Sequence, residues 1–558
     1  MSAASRAIDR WRIGRGYTQT SESLAIYRIL FALTTLFILG PGRLGVGVTS
    51  GEVGGAPAGM FHPPLGPAIL LTTWPSAGVI LAVELLLVAS LGAILVGAFT
   101  RTASLSAATC GLVLTSLLYS EGKIDHTILW TVLVPALMAW TSWGDTWSVD
   151  AGRERVRQRE GFQSDACLPI AGMAVALGIV FAGAATVKVL TGWLDPGTSA
   201  SLGWAFAHGV QIGFGAEPPL PLPATPTVVW LVIDYATVIF EFGMLIAAMR
   251  RDWMAPYLFG AAALFHSGAA LVGFPAFFEI IVVYLLFVRY DAVARRFSRP
   301  LGAFGRLAAR RPVLVCAVAA SVLALYSLAA LRVGAPLTVV LVLAFVGVPA
   351  VALWPMVVAI SAGVYAKRLL EPVDRSGNTL PAWAFPTAAA VVAAHISVIL
   401  AVSEPYPSLM GPSFMGTFDD GRAINVAEQR FWVVDNGRRS EVAPSSVLIP
   451  SRGGAVQLGS VRFPGPNLDS SGRVIANPSL PDRLSNFYHH FSSKHLRDYG
   501  GPLSDAEKAW IRMNLAAHHV PCDRNCSLDV EWRRLSFDRT TGERLLEETV
   551  DRRSYTLH

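Results

Sequence analysis

Long apolar runs alternate with short arginine-bearing segments over nearly the first three-quarters of this chain, and the pattern stops abruptly near Ser403. Runs lie near 22–40, 77–99, 103–119, 127–143, 168–187, 227–248, 254–272, 275–290, 313–331, 336–363 and 382–402. A helix needs roughly 20 apolar residues to cross a hydrocarbon core, so the pattern predicts about 11 transmembrane helices. The 254–290 region reads either as two tight spans or as a re-entrant pair. Beyond Ser403 the texture is charged and punctuated by Gly and Pro. Alternating stretches such as Arg430–Val434 and Ser527–Arg533 predict strands. Ser504 followed three residues later by Glu507 predicts a capped amphipathic helix over Ser504–His518. The expected fold is an all-α polytopic membrane bundle followed by a β-rich α+β domain over residues 403–558.

Composition agrees with a membrane protein and excludes an ordinary soluble one. Of 558 residues, 53% are hydrophobic and only 15% charged, where a soluble chain carries about 25% charged residues. The net charge of +6 does not point to nucleic acid, because the basic residues follow the loops. The amino-terminal arginines, Arg101, the Arg153–Arg159 cluster, Arg250 and Arg251, the Arg289–Arg311 group, and Lys367 with Arg368 fall on alternate connections. The intervening ones carry only Arg43, Lys123, Lys188 and Arg332. Such alternation places the amino terminus in the cytoplasm and, with an odd number of spans, the tail outside a multi-pass cell membrane protein. Arg6, Arg10, Arg12 and Arg15 precede the first run, and no small-residue cleavage site follows it.

Against that topology one cation stands out. Lys188 ends an apolar run on the side that avoids positive charge, and no other Lys or Arg occurs before Arg250. It either snorkels to the headgroups or is a functional group, with Trp193 and Trp204 close in sequence. The opposing hairpin Glu121-Gly-Lys-Ile-Asp125-His126 carries further polar residues; Lys123 and Asp125 read first as solvated loop charges. His126 has the chemistry to relay a proton or to bind a carbonyl. Glu84, Asp234, Glu241, His266 and Glu279 fall at membrane depth, where ionisable groups pair, line a cavity or serve function. Arg28, inside the first span, is expected to bridge to an acidic partner. Cys110, Cys167 and Cys316 behave as small hydrophobes. In the tail, His518-His519-Val-Pro-Cys522-Asp-Arg-Asn-Cys526 offers metal-ligand chemistry, but in an oxidising compartment a local Cys522–Cys526 disulfide is the favoured reading, with no metal assigned. Tyr488-His489-His490 reads as a surface or packing cluster.

Several of these segments, taken in order, resemble a known family. They are Leu24-Ala-Ile-Tyr-Arg28-Ile-Leu-Phe31, Asp125-His126 before an apolar span, Trp147-Ser-Val-Asp150 after it, Ala182-Gly-Ala-Ala-Thr-Val-Lys188-Val-Leu-Thr-Gly-Trp193, and Phe265-His266. The series resembles the vitamin K-dependent gamma-glutamyl carboxylase and its bacterial relatives, the horizontally transferred transmembrane (HTTM) family. It covers residues 1–295; residues 296–402 would be additional helices and 403–558 a separate domain. Val187 stands where the family often has a second lysine. The resemblance implies a reaction driven by a reduced quinone, menaquinone or vitamin K hydroquinone, with O2 and, for glutamate carboxylation, CO2. Lys188 would be the base that deprotonates the hydroquinone, giving an epoxide and a strong base, and His126 would lie near the reacting groups. Asp125, Trp193, Glu241 and His266 would belong to the substrate site. The implied partners are the bilayer, the quinone and an extracytoplasmic peptide or protein. A non-catalytic anchor that presents the outer domain is the competing class, and it leaves Lys188 snorkelling alone.

Overall fold

The computed structural model describes residues 17, 19–36, 44–64, 66–121, 128–153, 167–212, 225–249, 254, 257–258, 265–266, 280–333, 418–450, 455, 458–460, 462–465, 501–523 and 525–558. Among the described residues, nine helices of nine residues or more make up the amino-terminal part. They are α1 (Ser21–Thr34), α2 (Ala77–Val96), α3 (Thr100–Leu118), α4 (Trp130–Met138), α5 (Cys167–Leu190), α6 (Ala200–Ile212), α7 (Thr227–Met249), α8 (Asp291–Arg310) and α9 (Pro312–Val333). After them come α10 (Asp505–Ala517) and four strands, β1 (Ala423–Asp435), β2 (Arg438–Val442), β3 (Ser527–Asp538) and β4 (Arg544–Thr556).

Among the described residues, four helices are long and apolar enough to cross a membrane: α2, α3, α5 and α7. The expectation of eleven spans is therefore corrected, because an apolar run does not guarantee an unbroken helix. The run at 127–143 becomes α4, nine residues long with Pro135 inside it. Nine residues rise only about 14 Å, less than half a hydrocarbon core, and Pro135 cannot donate to the helical ladder. Near 275–290, the short helix Ile281–Tyr284 passes into a 3-10 turn, Leu285–Phe287, and extended backbone at Val288. Helix α9 is continuous over Pro312–Val333 and covers the run at 313–331. The spans expected at 336–363 and 382–402, and most of 254–272, lie outside the described residues.

Helix α5 lies antiparallel against α7, and a glycine sets their separation. A Cβ on Gly178 would sit 3.0 Å from the Leu245 Cα and 3.1 Å from the Ala248 Cβ, so only a residue without a side chain lets the backbones approach this closely. The two ends of the bundle differ. At one end Arg28 of α1 is buried and donates to the Trp143, Thr146 and Trp147 carbonyl oxygens, and Asp150 accepts from the Phe99 and Thr100 N–H groups at the start of α3. The acidic bridge expected for Arg28 is thus replaced by carbonyls that the 143–147 turn leaves without helical partners. Helix α8 joins this end through Thr20 Oγ1, which donates to Asp291 at 2.7 Å.

The other end carries the sheet domain. Its strands are all antiparallel in the order β2-β1-β3-β4, with Phe431 opposite Val530 and Trp432 opposite Asp529. Period-2 alternation gives the sheet two working faces. Phe431, Val433, Leu528 and Val530 on one face bury against Ile511 and Leu515 of α10 and against Val447–Ile449. On the opposite face, at the far end of the same strands, Ile424, Val426, Leu535 and Phe537 pack on Leu202 and Phe206 of α6 and Trp230 of α7. Ser504 caps α10 with both hydrogen bonds of the capping box in place. Immediately before β3, Cys522 and Cys526 form a disulfide, with Cα atoms 5.1 Å apart, which takes both sulfurs into one covalent turn.

Candidate functional site

Lys188 occupies the last turn of α5, where Leu-Thr-Gly-Trp ends the helix and folds back on it. The Thr191 and Trp193 N–H groups both donate to the Lys188 carbonyl, and Gly192 adopts φ +92, a left-handed conformation open to glycine at little cost. The reversal brings the Trp193 ring over the lysine, with Nζ 5.2 Å from the ring centroid, inside cation–π range. The side chain does not snorkel. Lys188 is 2% exposed, and its Nζ lies 2.5 Å from Glu241 Oε1 on α7.

Glu241 reaches this position through helical spacing. Asp234, Val238 and Glu241 sit at intervals of four and three residues, one stripe of α7 facing α5. Each member has a separate task. Asp234 accepts from the Ser199 hydroxyl and from the Ala200 and Ser201 N–H groups, capping α6 from outside its own chain segment. Val238 packs with Ala185 and Trp193, and Glu241 pairs with Lys188. Glu84 has a similar structural role: it accepts from the Gly47 and Ser50 N–H groups and the Ser50 hydroxyl, capping the short helix Val48–Val53.

Beyond the pair stands an aromatic wall. Phe181, seven residues before Lys188 and on the same face of α5, meets Phe240 edge-on at 5.4 Å between centroids. Phe240 stacks on Phe265 at 4.5 Å and on Tyr257 at 5.7 Å. Phe265 contacts the ring of His266, whose Nε2 lies 2.9 Å from the Tyr284 hydroxyl. Lys188, Trp193 and Glu241 are therefore in direct contact, and His266 belongs to the same assembly through rings. Asp125 and His126 lie outside the described residues, as do Lys123 and Glu279. One polar atom stands out: Glu241 Oε2 is buried and has no hydrogen-bond partner among the described residues.

Directly after Trp193, the 195–203 segment carries the sheet domain. The Ser199 N–H donates to Asp419 Oδ2 at 2.7 Å, and Arg539 lies 2.9 Å from the same carboxylate. Arg539 also donates to the Gly197 carbonyl, and Trp204 meets Phe418 edge-on at 4.8 Å. Burial pushes the Asp419 carboxyl above its ordinary value, against the lowering effect of Gly421, Arg539 and Ser199. None of these partners was visible in the sequence, because Asp419 and Ser199 are 220 residues apart. The aromatic partners Phe181, Phe240 and Tyr257 were equally silent, since apolar residues in a membrane run carry no distinguishing mark. For Glu241, the seven-residue interval from Asp234 was the available signal. No protein-family model, curated protein or solved structure matches the chain.

Proposed function

We propose that this chain is a membrane enzyme that uses a reduced quinone, of the carboxylase-like HTTM kind, with Lys188 as the base. The observation that carries this reading is the buried Lys188–Glu241 pair beside an aromatic wall. A topology anchor has no need of a carboxylate in a low-dielectric interior, where taking two charges from water costs several kcal/mol per ion. The residues suit a planar, electron-rich ring bearing hydroxyl groups. Phe181, Phe240 and Phe265 provide apolar surface for the ring, and Glu241 Oε2 is an acceptor without a partner among the described residues. A hydroquinone, when bound, supplies acidic O–H groups and a ring that reacts with O2.

The chain's own contribution is to move the proton. Glu241 Oε1, 2.5 Å from Nζ, is placed to take a proton from the lysine, and the lysine in turn to take one from the hydroquinone. Trp193 closes the lysine off from water, and Glu241 orients Nζ. His126 and Asp125 stay in the proposal as further members of the site. Carboxylation of a glutamate on an extracytoplasmic peptide is the finer form of this reading. The sheet domain sits at the end of the bundle where Lys188 lies, which suits a peptide arriving from that side and a quinone arriving from the bilayer. The same packing favours the anchor reading, in which α6 simply presents the sheet.

One experiment separates the two. Purified protein is given reduced menaquinone and O2, and quinol consumption and its oxygenated product are followed for wild type and Lys188→Arg. Arginine keeps the charge but does not release its proton. The enzyme reading expects turnover in wild type and loss of at least a hundredfold in the variant, at normal insertion. Full turnover in Lys188→Arg removes the lysine as base.

A further inference from the structure

At the end of the bundle away from the sheet domain, helix α8 presents three distinct faces. With 3.6 residues per turn, Val293, Phe297 and Leu307 fall within an arc of about 80°, and Arg295, Arg296, Arg299 and Arg310 within an adjoining arc of about 100°. Ala294 and Gly305 lie on the third. The structure agrees with this division. Val293, Phe297 and Leu307 are 44%, 48% and 47% exposed, Ala294 is buried, and a Cβ on Gly305 would lie 3.5 Å from the Trp147 Cα. Arg295, Arg296, Arg299 and Arg310 are all exposed. The acid of this helix, Asp291, is already engaged by Arg289 at 3.1 Å and by Thr20. Arg296, Arg299, Arg310 and Arg311 have no carboxylate within ion-pair distance among the described residues.

What lies against the exposed apolar face follows from its neighbours. The chain turns at Arg311 directly into α9, whose Val313, Val318, Val322, Leu325 and Leu328 are exposed as lipid-facing residues are. The bundle end that α8 joins also carries Trp140, half exposed, with the Arg101 guanidinium 4.0 Å from its ring, and Phe99, 63% exposed. Exposed aromatic and basic side chains of this kind mark a membrane–water boundary. A helix with an apolar face toward acyl chains and a cationic face at headgroup level belongs in the plane of that boundary.

We propose that α8 lies in the membrane interface and is a binding surface for anionic phospholipid headgroups, held by Arg296, Arg299 and Arg310. Each arginine near an anionic surface contributes about fivefold to binding, so removing three weakens it on the order of a hundredfold. The test uses the full chain in neutral detergent, with thermal unfolding followed while short-chain phosphatidylglycerol, short-chain phosphatidylcholine or inorganic phosphate is added. Phosphatidylglycerol is expected to raise Tm, the other two to leave it unchanged. In the triple variant Arg296→Gln, Arg299→Gln, Arg310→Gln, the shift should vanish while the Tm without lipid stays that of wild type. An equal shift with phosphatidylcholine or with phosphate, or a phosphatidylglycerol shift that survives in the variant, overturns the proposal. A second measurement leaves the arginines in place. Phe297→Trp is reconstituted in vesicles containing lipids brominated near the headgroup end of the acyl chains. Quenching of the added fluorescence is expected, and its absence overturns the interfacial placement.

Discussion

Lys188 is a cation whose ammonium is buried together with its counter-ion, and that makes its energetic role measurable. Replacing one member of a buried pair leaves the other charge uncompensated, at about 3–5 kcal/mol, while replacing both by apolar groups is often neutral. Lys188→Met is therefore expected to destabilise the folded bundle by about 3–5 kcal/mol, and Glu241→Leu by a similar amount. The double variant should recover most of the loss. Reversible denaturation in mixed micelles gives the coupling as a double-mutant cycle. A lysine reaching the headgroups would show almost no coupling to Glu241. The prominence of Lys188 was legible from charge alone, because Val189–Met249 contains no other Lys or Arg. Its partner was not, because the spacing that carries Glu241 into the α5–α7 seam also carries Asp234, which turned out to cap α6.

Among the elements, α10 was the best foretold, since a capping box is a local pattern whose partners lie three residues apart. The structure adds a third participant. Arg462 lies 2.5 Å from Glu507, inside the sheet domain. Burial pushes the Glu507 carboxyl up, but hydrogen bonds from Arg462 and Ser504 together outweigh it and hold the group below its ordinary value. A carboxyl held lower in the folded state stabilises fully above its unfolded value of about 4.3, and that contribution is lost as pH falls through the folded value. Acid should therefore destabilise the sheet domain below about pH 4.3 through Glu507. Asp419, raised by burial, works in the opposite direction and offsets part of the loss. In Glu507→Gln the domain is expected to be less stable at pH 7 and to show a flatter acid limb when unfolding is followed by tryptophan fluorescence. An acid limb as steep as that of wild type would show that Glu507 does not carry the effect. Helix α4 is the contrary case: its run was apolar enough to predict a span, but with Pro135 inside it the helix extends only over Trp130–Met138.

At the scale of the whole molecule, sidedness ties the parts together. The sheet rests on α6 and on the 57–61 loop, where Gly59 lies against Glu507 and Met60 joins the sheet-domain core. Arg28, Arg101 and α8 occupy the opposite end. If the arginine-bearing end faces the cytoplasm, as charge bias favours, a reporter active only in the cytoplasm and fused after His558 is expected to be silent. The same reporter fused after Arg311 should be active. Signal from the carboxyl-terminal fusion would reverse the orientation proposed for the sheet domain.

Apolar run length and turn chemistry are local, and they were enough to point to long apolar helices, to strands in the carboxyl-terminal part and to a capped α10. The strand segments Arg430–Val434 and Ser527–Arg533 fell inside β1 and β3 because alternation is also local. Tertiary structure alone decided which runs stayed helical, which carboxylate met Lys188, and that Ser199 would meet Asp419. The physical reason is the same in each case. These contacts depend on how closely backbones approach, at Gly178 and in the turn at Gly192, and on partners that become neighbours only when distant segments pack.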